Sequence, residues 1–317
     1  MISSLFVRCV AVLSLTVALM PSPSRGQSLV GHPLIGRVYL PASGQILDQD
    51  AALARLVRSD LVLLGEKHDN PDHHRLEALV IGRLVQAGRR PAVAFEMLVP
   101  DQMALLAAYW ADHPGDTKGL GAALRWDESG WPSWDWYRPV FAQALLNGLP
   151  VRAANLSPAD LRAVVRGQMG PDQMPALSDP LPAGAADAMA AEIRAAHCGM
   201  LPEKAVGGMV AAQQARDGVM ARAMLDGKMG AVLVAGAGHV RADWGVPYHL
   251  AGLAPTRSRF ALAFVEVEDG KTDPAAYGDG DGLPYDAVWF TPRAPEQDHC
   301  AEMQKAMQRK AAKPQEQ

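Results

Sequence analysis

The chain has 317 residues, of which 49% are hydrophobic and 20% charged, with a formal net charge of -4. Such values fit a globular protein with room for one sizeable α/β domain. The mildly acidic balance excludes nucleic-acid binding as the main task.

In chain order, residues 1–26 read as a secretory signal peptide, with an uncleaved membrane anchor as the alternative. Arg8 precedes an apolar stretch from Val10 to Met20, and a Pro/Ser-rich segment with Ser24 and Gly26 leads to Gln27. The mature protein is then expected to be exported, periplasmic or membrane-associated. Cys9 precedes the apolar stretch and does not look like a lipid-attachment cysteine. Cleavage leaves Cys198 and Cys300, for which a disulfide and two free thiols are both open; their separation excludes a CxxC motif.

Residues 27–300 form the expected domain. LVLLG (Leu61 to Gly65), AVAFE (Ala92 to Glu96), VRAAN (Val151 to Asn155) and AVLVAG (Ala231 to Gly236) lack polar alternation, as strands covered on both faces do. FALAFVEV (Phe260 to Val267) and AVWFT (Ala287 to Thr291) follow as further strands. Asn70 caps a predicted helix with Pro71 at its first position and Leu76, Leu79, Val80 and Leu84 on its apolar face. Ser157-Pro158 opens another. Alternating strands and helices predict an α/β fold, a mainly parallel doubly wound sheet with helical insertions near Asp101–Phe141 and Leu181–Gly227. Residues 301–317 read as a polar C-terminal tail.

The chemistry falls after the strands. Glu66 and His68 follow the first, Glu96 ends the second, Asn155 the third, and His239 follows the glycines of AGAGH. Ligands bind at the carboxyl ends of strands in open α/β sheets, so these side chains are expected in one crevice. Two carboxylates and two imidazoles are costly to cluster unless paired, metal-bound or functional. His73 and His74 fall in a first helical turn and read as solvated surface, with His74 able to lean back toward the site. GAGHVRADWGVP lacks the third glycine of a dinucleotide fingerprint. In WDESGWPSWDWYRPVF, Trp134, Tyr137 and Phe141 share a helical face, either as a packing stripe or as a wall for a planar ligand. Gln213, Arg216, Met220 and Met224 share another, with Asp217 beside it. There is no HExxH, P-loop, GxSxG or CxxCH motif.

LLGEKHDNPDHH, the strand ending FEML, WPSW-WYRPVF, AQQARDGVMA and AGAGHVRADWGVP together resemble, in order, the ChaN family of haem-binding exported proteins. The resemblance implies an α/β core that binds haem, a role in haem or iron uptake, a homodimer and outer-membrane uptake machinery as a partner. It places Glu66, His68, Glu96, Trp134, Tyr137, Gln213, Arg216, His239 and Tyr248 in the cofactor site, with His239 and Tyr248 as the candidate iron ligands and Asp217 as a flanking match. The wider superfamily of erythromycin-esterase-like and Tiki/TraB-type proteins supplies the alternative, a hydrolase using Glu66, His68, Glu96 and His239.

Overall fold

Six parallel strands form the centre of the molecule, and their apolar sequences explain why: every residue of two adjacent inner strands is buried. They are β3 (Leu61–Glu66) and β6 (Ala231–Gly236). The computed structural model describes residues 29, 31–174, 181–227, 229–278, 282–295, 300, 301, 303–305 and 308; the expected signal peptide and most of the polar tail lie outside them. Among the described residues no helix is long and apolar enough to cross a membrane.

The other parallel strands are β4 (Ala92–Phe95), β5 (Val151–Ala153), β7 (Arg259–Glu266) and β8 (Ala287–Thr291). An antiparallel hairpin, β1 (Val38–Leu40) and β2 (Gln45–Leu47), extends the β8 edge and completes the order β2-β1-β8-β7-β3-β6-β4-β5. The predicted mainly parallel α/β sheet is therefore present, with this hairpin as an addition that three-residue strands did not announce.

Alternate strand residues feed two cores, as the two-residue period of a strand requires. On one face Val62, Leu64, Val93, Phe95 and Val232 pack with helices α1 (Gln49–Arg58), α2 (Pro71–Gln86) and α5 (Trp134–Leu146). On the other, Leu61, Leu63, Ala94 and Leu233 meet Met220 and Met224 of α8 (Glu203–Leu225) and Leu250 of α9 (Val246–Leu253). Gly65 in β3 has a reason to lack a side chain, because a Cβ there would lie 2.3 Å from Val240.

The two insertions differ in character. The first holds α3 (Gln102–Asp112), α4 (Leu120–Ala123) and a short 3-10 turn that leads into α5. Its tryptophans close on themselves: Trp126 stacks edge-on against Trp134 and Phe141, and the Trp134 indole N–H donates to the Thr117 carbonyl at 3.0 Å. In the second, α7 (Ala185–Ala196) packs on α8, and so does the preceding helix α6 (Pro158–Val165), which Ser157-Pro158 opens. The carboxyl half of α8 is an ordinary crossover helix lying on the sheet, so only its first turns and α7 stand out as additions. A disulfide joins Cys198 to Cys300 and resolves the open thiol question. In the chain-entropy account, closing a loop of about 100 residues stabilises by about 4–5 kcal/mol.

Candidate functional site

Every polar residue predicted at a strand end lies on the same end of the sheet. β3 ends at Glu66, with His68 two residues on; β4 delivers Glu96, β5 Asn155, and β6 leads through a 3-10 turn to His239. Glu96 is the hub. Its carboxylate accepts from the Gly236 N–H at 2.7 Å and from the Arg216 guanidinium, and its carbonyl accepts from Asn155 Nδ2 at 2.9 Å. The Nε2 atoms of two histidines face its oxygens: His239 at 3.4 Å and His68 at 3.8 Å. Gly236 is required beside them, since a Cβ there would lie 3.0 Å from His68 Nε2.

Each histidine is backed on Nδ1 by a further buried carboxylate. His68 Nδ1 donates to Glu66 Oε1 at 2.6 Å, and its ring rests edge-on against Trp131. His239 Nδ1 lies 2.5 Å from Asp217 Oδ1 and 2.9 Å from Gln213 Nε2. Burial opposes charge on His239, but Glu96 and then Asp217 outweigh it and push the imidazole up to about 9. Burial likewise opposes charge on Glu96, and His239, Arg216 and His68 together hold its carboxyl well below the usual range. His68 is raised: burial lowers it, but Glu96 and the bond to Glu66 win.

His73 and His74 are the main correction to the sequence reading. Both are fully buried. They sit at the first turn of α2, which the Asn70 side chain caps by accepting from the Asp72 N–H, and this turn packs directly beneath the end of β3. His73 Nδ1 accepts from the Lys67 N–H at 2.8 Å and Nε2 lies 2.9 Å from Thr291 Oγ1, which fixes a neutral ring. Burial accordingly pushes it down to about 3.

His74 is the opposite case. Its Nδ1 lies 2.6 Å from Glu66 Oε2 and 3.2 Å from Glu77 Oε2, and its Nε2 donates to the His68 carbonyl at 3.0 Å. A ring that donates from both nitrogens is an imidazolium. Although burial opposes the charge, Glu66 and Glu77 push it up to about 10. Burial would raise Glu66, but His74 and His68 hold it far below the ordinary carboxylate range. Burial and the Glu66 charge raise Glu77 well above the ordinary carboxylate range, against the pull of His74. The Tyr137 hydroxyl donates to Glu66 Oε1 at 2.7 Å.

Glu66, His68, Glu96, Arg216 and His239 form the floor of a cavity of about 600 Å³. Its walls are mainly apolar and come from three helices, Leu161 and Val165 of α6, Met189 and Ile193 of α7, and Met209 and Ala212 of α8, with Lys67 and Glu192 also lining it. His68, Arg216, Gln213, Glu66, Glu96 and His239 reach it as the sequence predicted. Three predicted residues do not line it. Trp134 belongs to the packing core of α5, which decides for the packing stripe over the planar wall. Tyr137 is buried behind Glu66 and acts on it by hydrogen bond. Tyr248, a candidate iron ligand, lies half-buried on α9 away from the cavity lining. The other candidate, His239, lines the cavity with its two ring nitrogens facing carboxylates. Residues the sequence reading left aside are Glu77, whose signal was its position three after His74, and His197, for which no motif exists.

Arrays of buried, carboxylate-backed imidazoles under an apolar pocket serve either to hold a ligand or to move protons, and comparison with known proteins bears on which. No curated protein matches the chain. A solved structure of Campylobacter jejuni ChaN with cofacially bound haem is 20% identical, with a TM-score of 0.63 over 80% of this chain and 95% of that one. An erythromycin esterase variant in its open conformation is 13% identical, with a TM-score of 0.39 over 74% of this chain and 81% of that one. The first likeness shows the fold; the second is too distant to bear on chemistry. Residues 52–250, which supply the strand ends, α2, α8 and most of the cavity walls, match the family described as haem-binding uptake, Tiki superfamily, ChaN, and the chain belongs to that family.

Proposed function

We propose that this is an exported haem-binding protein whose ligand sits in the cavity above Glu96, serving haem or iron handling without turnover. The supporting observation is the cavity's two-sided character: mainly apolar walls from α6, α7 and α8 over a floor that presents Arg216 and imidazoles. Haem is a flat apolar ring with two carboxylates and an iron that accepts nitrogen ligands, and the residues present fit it. Leu161, Val165 and Ile193 would exclude water from the ring, while Arg216, held by Glu96 and Asn155, would orient a carboxylate at the floor. The Cys198–Cys300 disulfide supports export, since such bonds persist in oxidising compartments. Assembly as a homodimer and exchange with outer-membrane uptake machinery belong to the same proposal. Haemin titrated into the protein should give a saturable, shifted Soret band.

One observation favours a second reading, hydrolysis. His68 carries a Glu66-backed Nδ1 and lines the cavity, as a general base does. The raising of His68 by Glu96 and the bond to Glu66 weighs against it, because these carboxylates favour the charged ring over the neutral one a base needs. Ester or peptide turnover abolished by Glu66→Gln would revive it.

A further inference from the structure

The ring nitrogens of the histidines lining the cavity are not equivalent. His239 faces Asp217 with Nδ1 and Glu96 with Nε2, and its imidazole is pushed up to about 9. His68 bonds Glu66 through Nδ1 and faces Glu96 with Nε2. Each has both ring nitrogens turned toward buried carboxylates, so neither is set to offer a free nitrogen to a metal. Among the described residues lining the cavity there is no tyrosine and no cysteine.

His197 differs. It stands at the carboxyl end of α7, one turn after Ile193, half-buried in the wall of the same cavity. Its Nδ1 lies 2.7 Å from the Ile193 carbonyl. A carbonyl oxygen only accepts, so Nδ1 carries the proton, and in the neutral ring the lone pair is on Nε2. That is the arrangement by which proteins prepare an imidazole for a metal: the Nδ1–H bond to the backbone fixes the tautomer and ring orientation and leaves Nε2 as the donor. The surroundings suit a hydrophobic metal complex, because Ile193, Met189 and Met209 line the cavity with it. The next residue, Cys198, is tied to Cys300, which anchors the turn that carries the ring.

We propose that His197, through Nε2, is the axial ligand of haem iron in this cavity, with the floor imidazoles holding protons and not iron. This rests on the haem reading above. A lone histidine that merely caps its own helix end would have no effect on a bound haem, which makes the two roles separable.

The test uses the full oxidised chain with haemin as the probe, comparing the natural protein with His197→Ala and with His197→Gln, whose amide can still donate to the Ile193 carbonyl. The natural protein should bind haemin and, once reduced, show the iron–imidazole stretching band in resonance Raman spectra. Both variants should lose that band and bind haemin more weakly by roughly tenfold or more, at least the loss caused by removing an outer-shell partner of a metal ligand. Added imidazole should restore the band in His197→Ala. Melting curves identify any variant that fails to fold, and either folded variant suffices. If the variants bind haemin with unchanged affinity and spectrum, His197 is not the ligand and the haem reading survives. If the natural protein does not bind haemin, both are overturned.

Discussion

Replacing Glu66 by alanine is expected to destabilise the protein by about 3–5 kcal/mol, the cost of leaving a buried charge without its partner. Glu66 is fully buried and receives His74 on one oxygen and His68 and Tyr137 on the other. Its removal leaves the His74 imidazolium facing only Glu77, whose ionised form burial and the Glu66 charge disfavour. Glu77→Gln should cost much less, about 1 kcal/mol, because burial already disfavours charge at Glu77 and the amide disturbs the hydrogen bond to His74 alone. Chemical denaturation of the two variants checks this. Equal effects would mean that the two carboxylates share the charge evenly, which contradicts the opposite shifts of Glu66 and Glu77.

The second large effect is on stability as a function of pH. His74 and His239 are raised in the folded state, to about 10 and about 9, from an ordinary value of 6.5. The folded state therefore binds protons that the unfolded chain has released, so the stabilisation is complete below about pH 6.5 and is lost as pH rises through 9 and 10. His73 acts in the other direction. Its folded value is pushed down to about 3, so between about pH 6.5 and 3 the unfolded chain takes up a proton that the folded state refuses, and stability falls as pH falls. The depressed Glu66 and Glu96 add to the acid loss once pH drops below the ordinary carboxylate value. With one pKa unit worth about 1.4 kcal/mol, unfolding free energy should drop by at least ~2 kcal/mol between about pH 7 and 10. Denaturant melts across that range would show it, and a flat profile would contradict the imidazolium assigned to His74.

The sheet and the convergence of its strand ends were legible in the sequence for a plain reason. Parallel strands buried on both faces must be unbroken apolar runs, and the first polar residue after each run must emerge at the same end. Glu66, Glu96, Asn155 and His239 obey this rule. What could not be read was depth. A histidine pair in a first helical turn looks the same whether it faces solvent or the end of β3. Only the position of α2 against Glu66, residues apart in sequence but joined in space, shows that His73 is a neutral strut and His74 a buried cation. The cavity walls were hidden for a related reason: they come from three helices whose apolar faces look like ordinary core until α6 and α7 are seen packed on α8. The Trp126–Trp134–Phe141 cluster misled in the reverse sense, since aromatic density pointed to a ligand wall and the rings are satisfied by one another.

Every role proposed for the site depends on haem occupying the cavity between the insertion helices and the Glu96 floor. The decisive measurement is the haemin titration repeated with Ile193→Glu, since this substitution puts a carboxylate into the apolar wall without touching the floor. Saturable binding is expected for the natural protein, and binding weakened by about tenfold or more for the variant, because an unpaired carboxylate resists transfer into apolar surroundings. Absence of a saturable Soret shift, or equal binding by the folded variant, would contradict haem in this cavity.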